Sequence, residues 1–253
     1  MAIEGKGTMI LNSDDPLVIG FKNKFRGKVL TFGINSHSDV KALNFKRKKD
    51  LGYQFILKIS EKEIMVNLSY PGYHNIYNAL SSAAIGVSLG MDINDIGRGI
   101  ESFRPLPMRM ERFMIDGDIT IINDAYNANP SSMEAAIKTF SVADFPGKKI
   151  LIAGDMLELG EVSEESHRYI GRLVASESID YLITFGRESK FISQEAILSG
   201  MPKNKVYSCE NFDEVAFILD DELNLGDCLL IKGSRGMGME KLVDRIVKLR
   251  KAS

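Results

Sequence analysis

The chain has 253 residues, of which 44% are hydrophobic, and its 32 basic residues nearly balance 34 acidic ones. This length favours two domains, since a domain holds roughly 100 to 200 residues, and the balanced charge argues against a nucleic-acid or membrane-surface partner. The first residues lack a signal-peptide pattern and no apolar run reaches the roughly 20 residues that span a bilayer, so we expect a cytoplasmic protein without membrane insertion.

Cysteine and histidine are both scarce. Cys209 and Cys228 belong to no C-x-x-C pair, so we predict that both are buried, small apolar side chains. Three histidines in the whole chain argue against a zinc site built from imidazoles. No metal site is predicted.

The first hundred residues predict strands followed by helices. Short apolar runs and alternating segments predict strands at 8–11, 29–33, 53–59 and 64–68, with a hairpin turn at 60–63. Apolar residues spaced three and four apart predict an amphipathic helix over 73–89, which Gly90 stops, and a shorter helix over 93–102.

A proline-rich segment interrupts this pattern. Pro105 and Pro107 cannot both continue a helix or a central strand. We therefore place a domain boundary there and predict domains over residues 1–106 and 107–253.

The second part alternates regularly between strands and helices. Asp116-Gly117 predicts a hairpin between the first two strands. The predicted strands cover 109–115, 118–122, 149–153, 181–185, 205–207 and 228–231, and the predicted helices cover 131–143, 164–177, 188–199, 212–222 and 238–251. Strands separated by helices of this length imply parallel crossovers, so we expect a doubly wound α/β sheet covered on both faces.

The segment from Asn123 to Met133 is the strongest candidate site. It places Asp124 and several amides at the exit of an apolar strand, and Pro130 suits the first turn of the next helix, with Asn129 as its cap. Open α/β sheets build ligand sites at the carboxyl ends of their strands. The alternative is an Asx-rich turn with one helix cap.

Two further strand exits carry polar groups. Asp155 and Glu158 lie in a loop between glycines, where they could hold an amine, a metal or a catalytic water, or remain solvated loop charges. Lys232, Ser234 and Arg235 precede the last helix and could cradle a carboxylate or phosphate. A plain basic loop is less favoured there because Lys232 continues a buried-type strand. A fourth exit, at residues 186–188, is explained by an ordinary helix start.

The start of the 73–89 helix is also polar. Asn75 and Asn78 are three residues apart and share a face, where amides can meet the edge of a planar base. A capped helix start with a lone His74 explains the same residues. No G-x-x-x-x-G-K-[ST] phosphate loop occurs in the 253 residues.

Taken together, the motifs resemble the Mur ligase family of peptidoglycan enzymes. The resemblance rests on Leu11–Asp15, Gly72–Leu80, Arg109–Glu111, Asn123–Ser132, Gly154–Gly160 with Ser163 and His167, and Lys232–Arg235 with Met239-Glu240. It implies that the chain is the remainder of a central ATPase domain followed by a Rossmann-like C-terminal domain.

The resemblance implies ATP-dependent amide-bond formation. In that reaction D-Ala-D-Ala is added to UDP-N-acetylmuramoyl-tripeptide through an acyl phosphate, with ATP and Mg. The family's phosphate loop, magnesium-binding carboxylate and carbamylated lysine are absent here and expected upstream of Met1. The resemblance thus implies that a missing N-terminal portion is a partner and that this chain alone is inactive.

The resemblance also implies roles for individual residues. Asn75 and Asn78 would border the adenine, Arg109 would reach the nucleotide from the domain junction, and Asp124 would accept the ribose hydroxyls. The implied nucleotide-binding set is His74, Asn75, Asn78, Arg109, Asp124 and Asn127. The implied dipeptide-binding set is Asn129, Asp155, Glu158, Lys232, Ser234 and Arg235, with the cationic pair facing the dipeptide carboxylate.

Two other functions are alternatives to a ligase. A noncatalytic module could retain the second domain to bind a small amino-acid-like ligand or a protein. A nicotinamide dehydrogenase would also have a doubly wound half, but the required glycine fingerprint is missing.

Overall fold

The computed structural model describes residues 7–48, 52–104 and 106–251. The chain divides into two compact units, Met1–Arg104 and Pro105–Ser253. The division therefore falls at residues 104 and 105, and the domain limits 1–106 and 107–253 stay a prediction. Pro105 itself lies outside the described residues.

The described part of the first unit forms a five-stranded sheet. The strands are β1 (Thr8–Asn12), β2 (Lys28–Gly33), β3 (Val40–Arg47), β4 (Tyr53–Ile59) and β5 (Lys62–Leu68). They lie in the order β1-β2-β3-β4-β5; β1, β2 and β3 are parallel, whereas β3, β4 and β5 are antiparallel. The predicted antiparallel hairpin is confirmed, but its turn is shorter than expected because β5 begins at Lys62.

Among the described residues of the first unit, the α-helices are α1 (Pro16–Ile19), α2 (His74–Ser88) and α3 (Ile93–Ser102). The two predicted helices are confirmed to within a residue, and Gly90 follows α2 with a φ of 77°. Both helices contribute buried side chains to the core that covers the sheet. A Cβ at Gly86 would lie 2.8 Å from the Ile96 side chain, so the missing side chain lets α2 and α3 approach closely.

The strand β3 was not predicted from the sequence. Asn44 has a φ of 50° and the register shifts between Leu43 and Lys46. A bulge of this kind breaks the two-residue alternation on which strand prediction depends. The second half of β3 is also exposed, so it carries no apolar pattern.

The second unit contains a sheet of six strands. The strands are β6 (Glu111–Ile115), β7 (Ile119–Asn123), β8 (Lys149–Gly154), β9 (Tyr181–Phe185), β10 (Val206–Cys209) and β11 (Cys228–Lys232). Their order is β10-β9-β8-β11-β7-β6, and every pair is parallel except β6 with β7. This is the expected doubly wound arrangement, with the last strand inserted between β7 and β8.

Four helices connect consecutive strands from β7 to β11, namely α4 (Pro130–Ser141), α5 (Ser163–Ser176), α6 (Lys190–Leu198) and α7 (Phe212–Glu222), and α8 (Met239–Lys251) follows β11. The sequence-based limits hold to within two residues for the helices. The strand expected at 109–115 begins two residues later, because Met108 and Met110 both adopt left-handed backbone, with φ values of 60° and 50°.

Both faces of the second sheet are covered. Strands β7 and β11 are buried at every residue. Side chains of α7 and α8, including Val215, Leu219 and Leu242, join one core cluster with the strands. Helix α5 packs between α4 and α6, α4 contacts β8, and α6 contacts β9 and β10. Across the described ranges, no helix combines the length and the hydropathy that a bilayer crossing requires.

Candidate functional site

The neighbouring strands β7 and β11 end beside a buried ion pair. They are parallel, so their carboxyl ends lie at the same edge of the sheet. There the Nζ of Lys232 donates to Oδ2 of Asp124 at 2.6 Å and to the carbonyl oxygen of Asn127 at 2.9 Å. The Lys232 side chain is 3% exposed and the Asp124 side chain 14%. The ammonium is therefore directed into the loop that follows β7.

The Asp124 carboxylate is held on both oxygens. Its Oδ1 accepts from the backbone N–H of Met110 at 3.0 Å, while its own N–H donates to the carbonyl of Ile231 at 2.8 Å. A carboxylate offers about four acceptor positions. The bonds from Lys232 and Met110 therefore orient the group and leave other acceptor positions open. A partly exposed, oriented carboxylate can accept hydrogen bonds from ligand hydroxyls.

Arg109 lies on the segment that Asp124 holds. Its guanidinium stacks over the ring of Tyr126, with 4.0 Å from Cζ to the ring centroid. The N–H of Tyr126 donates to the carbonyl of Met108 at 3.0 Å. Arg109 and Tyr126 are both exposed, so the stack presents a cation beside the β7 exit. Sequence reasoning did not single out Tyr126, although it lies in the same motif as Asp124.

The two amides further along the loop differ in their surroundings. Asn127 is exposed and contributes its carbonyl to Lys232. The Oδ1 of Asn129 accepts from the N–H of Ser132 at 2.8 Å, in a reciprocal capping box at the start of α4 with Pro130 in its first turn. The predicted cap is confirmed, and it occupies the side-chain oxygen of Asn129.

The Asp155 carboxylate accepts hydrogen bonds from the backbone just ahead of α6. Its Oδ1 accepts from the N–H groups of Glu188 and Ser189 at 3.1 and 2.7 Å, and its Oδ2 accepts from the N–H of Arg187 at 3.1 Å. The residue is 5% exposed. These bonds satisfy amides ahead of α6 and tie the exits of β8 and β9 together, so the geometry favours a structural role for Asp155.

Ser234 joins three loops at the same edge. Its Oγ donates to the carbonyl of Ala128 at 3.2 Å and accepts from the N–H of Leu157 at 2.9 Å, and its N–H donates to the carbonyl of Asp155. By contrast, Glu158 and Arg235 are exposed. Of the predicted dipeptide-binding residues, these two have charged groups at the surface.

His167 is completely buried. Its Nε2 accepts from the N–H of Met156 at 3.0 Å, which places the ring proton on Nδ1, 2.7 Å from the carbonyl of Ser163. The ring is thus a neutral support for the β8 exit. Within the described ranges, no group of three or more His, Cys, Asp or Glu side chains is arranged to hold a metal ion.

The first unit contains a cleft beside the polar start of α2. Asn78 Nδ2 donates to Asn75 Oδ1 at 2.8 Å, which confirms the shared face, and Asn75 Nδ2 donates to the carbonyl of Pro71. His74 is exposed. Both asparagines line a cavity of about 370 Å³, whose other walls are largely apolar residues of α2 and α3 with Tyr70 and Phe103. A polar edge beside apolar walls suits a planar base.

Asp14 anchors the same helix, a link that the sequence did not reveal. Burial opposes ionisation of its carboxyl, but the N–H groups of Ile34, Asn35 and Ser36 donate to it and hold its pKa well below the usual range. The hydroxyl of Tyr77 also donates to it at 2.9 Å; burial and this bond raise the pKa of Tyr77.

Two family models match the chain. The model "Mur ligase middle domain" matches residues 2–86, and the model "Mur ligase, glutamate ligase domain" matches residues 108–235. Together they cover parts of both units.

Two curated relatives carry the same name. A UDP-N-acetylmuramoyl-tripeptide–D-alanyl-D-alanine ligase of Bacillus subtilis is 31% identical over 242 residues, which are 96% of this chain and 51% of the relative. The ligase of the same name from Escherichia coli is 31% identical over 243 residues, 94% of this chain and 51% of that protein. The chain thus spans about half the length of the curated relatives it matches.

Solved structures share the fold. A MurF structure from Acinetobacter baumannii superposes with a TM-score of 0.85 at 24% identity, covering 96% of this chain and 52% of that one. A MurF ligase from Thermotoga maritima in complex with ADP superposes with a TM-score of 0.79 at 23% identity, covering 99% of this chain and 55% of that one. With both units matched by family models, the chain belongs to the Mur ligase family.

Proposed function

We propose that this chain is the nucleotide- and dipeptide-handling part of an ATP-dependent ligase that adds D-Ala-D-Ala to UDP-N-acetylmuramoyl-tripeptide in peptidoglycan synthesis. The names of the relatives support this assignment. The observation that carries it is the Asp124 carboxylate, which is fixed at a strand exit by Lys232 and Met110 and still has acceptor capacity.

Each unit, taken by itself, offers candidate groups for a nucleotide. In the first unit, Asn75 and Asn78 line the apolar cleft and would border an adenine there, and His74 is exposed at the start of the same helix. Asp124 accepts the ribose hydroxyls, Asn127 lies in the same loop, and Arg109 neutralises phosphate charge. A bidentate guanidinium suits a phosphate better than an ammonium does.

For the dipeptide, the exposed charges contact the ligand and the buried polar groups shape the loops. Arg235 pairs with the dipeptide carboxylate and Glu158 with its amino end. Lys232, Ser234, Asp155 and Asn129 remain part of the proposed substrate side, but they act by holding the backbone that carries those charges.

The proposed reaction proceeds in two steps. A carboxylate of the tripeptide substrate attacks the γ-phosphorus of ATP, which breaks the bond to ADP and forms an acyl phosphate. The dipeptide amine then attacks the acyl carbon, loses a proton, and expels inorganic phosphate from the tetrahedral intermediate. Residues of this chain contribute by orienting the reactants and by neutralising charge. Mg²⁺ would supply further charge neutralisation by holding phosphate oxygens.

Calorimetry on the 253-residue chain tests the proposal. We expect binding of ADP and of D-Ala-D-Ala, with ADP affinity at least about tenfold weaker in Asp124→Ala, as the loss of a charged hydrogen-bond acceptor predicts. Asp220→Ala is a matched control, because Asp220 is an exposed carboxylate on α7.

Three results have distinct meanings. Absence of heat with either ligand would favour a noncatalytic interaction role. Ligase turnover that appears only when the N-terminal half of a relative is added would support the proposal. Robust turnover by the 253-residue chain alone would contradict the expectation that it is inactive by itself.

A further inference from the structure

The backbone on both sides of Arg109 is strained. Met108 and Met110 have φ values of 60° and 50°, a region that side chains with a Cβ rarely adopt. Such conformations persist only where the surrounding structure imposes them, and they concentrate at functional sites. The strain singles out Arg109 among the exposed arginines of the second unit.

Hydrogen bonds to the loop after β7, and one to the first residue of β6, hold the backbone in this conformation. The carbonyl of Met108 accepts from the N–H of Tyr126, the N–H of Met110 donates to Asp124, and the N–H of Met108 donates to Oε2 of Glu111, each at 3.0 Å. The backbone of Arg109 is therefore fixed to the loop that carries the proposed ribose acceptor.

The side chain of Arg109 is held by the same loop. Its guanidinium stacks 4.0 Å from the centroid of the Tyr126 ring, and Tyr126 is 45% exposed. Tyr126 thus contacts the segment twice, through its backbone N–H to Met108 and through its ring to Arg109. A long arginine side chain without such a platform samples many rotamers at the surface.

Stacking and anion binding use different parts of a guanidinium. The ring meets the flat face of the group, whereas phosphate oxygens bond to hydrogens in its plane. The two contacts are therefore compatible. A second guanidinium borders the segment, since Nη1 of Arg235 lies 2.8 Å from the Sδ of Met108.

We propose that Tyr126 is a positioning residue that holds Arg109 extended beside Asp124, ready to bind the phosphate chain of a nucleotide. This inference rests on the proposed function, because it assigns to Tyr126 a part in the same nucleotide site. It requires the aromatic ring and not the hydroxyl. The role predicts that phosphate affinity follows the stacking capacity of residue 126.

Three variants at this position provide the test: Tyr126→Phe, Tyr126→Trp and Tyr126→Leu. All retain the backbone N–H that holds Met108, so they differ in the platform alone. Calorimetry with inorganic pyrophosphate and with ADP measures affinity, and the Nε–Hε signal of Arg109, assigned with Arg109→Lys, reports the stack by NMR.

We expect Tyr126→Phe and Tyr126→Trp to bind both ligands as the unaltered chain does. Tyr126→Leu should bind both about two- to five-fold more weakly, as loss of an exposed cation–π contact predicts. The Arg109 signal should lose its ring-current shift in Tyr126→Leu alone. Tyr169→Leu, at a tyrosine 38% exposed on α5, should change neither measurement.

The outcomes separate this inference from the proposed function. Equal affinities across the Tyr126 series, with ADP binding intact, would overturn the positioning role and leave the nucleotide site standing. Pyrophosphate binding that follows the series, with ADP bound no more tightly than pyrophosphate, would support the positioning role and count against the nucleotide. Absence of binding of either ligand by the unaltered chain would overturn both.

Discussion

Replacing Lys232 by methionine removes the charge beneath the β7 exit and keeps most of the apolar stem. The Lys232 side chain is 3% exposed, and its ammonium donates to Asp124 and to the Asn127 carbonyl. Without the ammonium, the mostly buried Asp124 carboxylate has no positive partner there, and the Asn127 carbonyl loses its charged donor.

The structure sets the size of the effect. Breaking a buried ion pair from one side costs about 3 to 5 kcal/mol. The Asp124 side chain is 14% exposed, so water recovers part of its solvation. We therefore expect Lys232→Met to lower the free energy of unfolding by about 2 to 4 kcal/mol. Lys203→Met, at an exposed lysine before β10, should change it by less than about 0.5 kcal/mol.

Urea unfolding followed by far-UV circular dichroism measures these differences, since the chain has no tryptophan to serve as a fluorescent probe. Hydrogen exchange of β7 and β11 amides assigns the loss to the second unit. Asp124→Leu and the double variant with Lys232→Met complete a mutant cycle. The free energy of unfolding of the double variant should fall by less than the sum of the two single-variant losses, and the difference should be at least about 1 kcal/mol.

A structural role for the ion pair is refuted if Lys232→Met is as stable as the unaltered chain. It is also refuted if the stability losses of the two single variants add up to that of the double variant. Such a result, together with weaker binding of D-Ala-D-Ala, would restore Lys232 as a ligand for the dipeptide carboxylate.

Three other predictions follow from charges inside the fold. Asp155→Asn should lower the free energy of unfolding by about 1 to 2 kcal/mol, because three amides ahead of α6 lose a charged acceptor; unchanged urea midpoints would contradict this. The folded pKa of Asp14 is lowered, so its contribution to stability is complete above the unfolded value of about 3.9 and is lost as the pH falls below it. Thermal melts of Asp14→Asn should therefore approach those of the unaltered chain as the pH drops, and a constant gap between the two would refute the assignment. Burial raises the pKa of Cys209 to about 11 and that of Cys228 further, so both thiols should react slowly with a disulfide reagent at neutral pH and rapidly in urea. Fast labelling of the folded chain would show that one of them opens locally.

Local sequence patterns predicted most elements of the fold. Every strand of the second sheet and its five helices were expected near their observed limits, because buried parallel strands form clear apolar runs. The predictions failed where left-handed residues interrupt the regular backbone geometry of a strand. Asn44 interrupts β3 with a bulge, and the left-handed residues around Arg109 delay the start of β6.

The candidate site was predicted less completely. Motif position identified Asp124, Lys232 and Asp155, but not what each would bond. Asp124 and Lys232 are 108 residues apart in sequence, and the amides that Asp155 caps are 32 to 34 residues beyond it. A charge at a strand exit looks the same in sequence whether it faces a ligand or a neighbouring loop, so only the tertiary structure distinguishes the two.

The position of β11 has a consequence for the time at which this edge of the sheet is completed. The strand lies between β7 and β8 but is the last of the six to be synthesised. Until it leaves the ribosome, the β6–β7 hairpin has no strand to join it to the rest of the sheet, and Asp124 has no lysine beside it. At about 5 to 20 residues per second, that interval lasts on the order of 5 to 20 seconds. A nascent chain stalled before Cys228 should therefore expose the edges of β7 and β8 to chaperones.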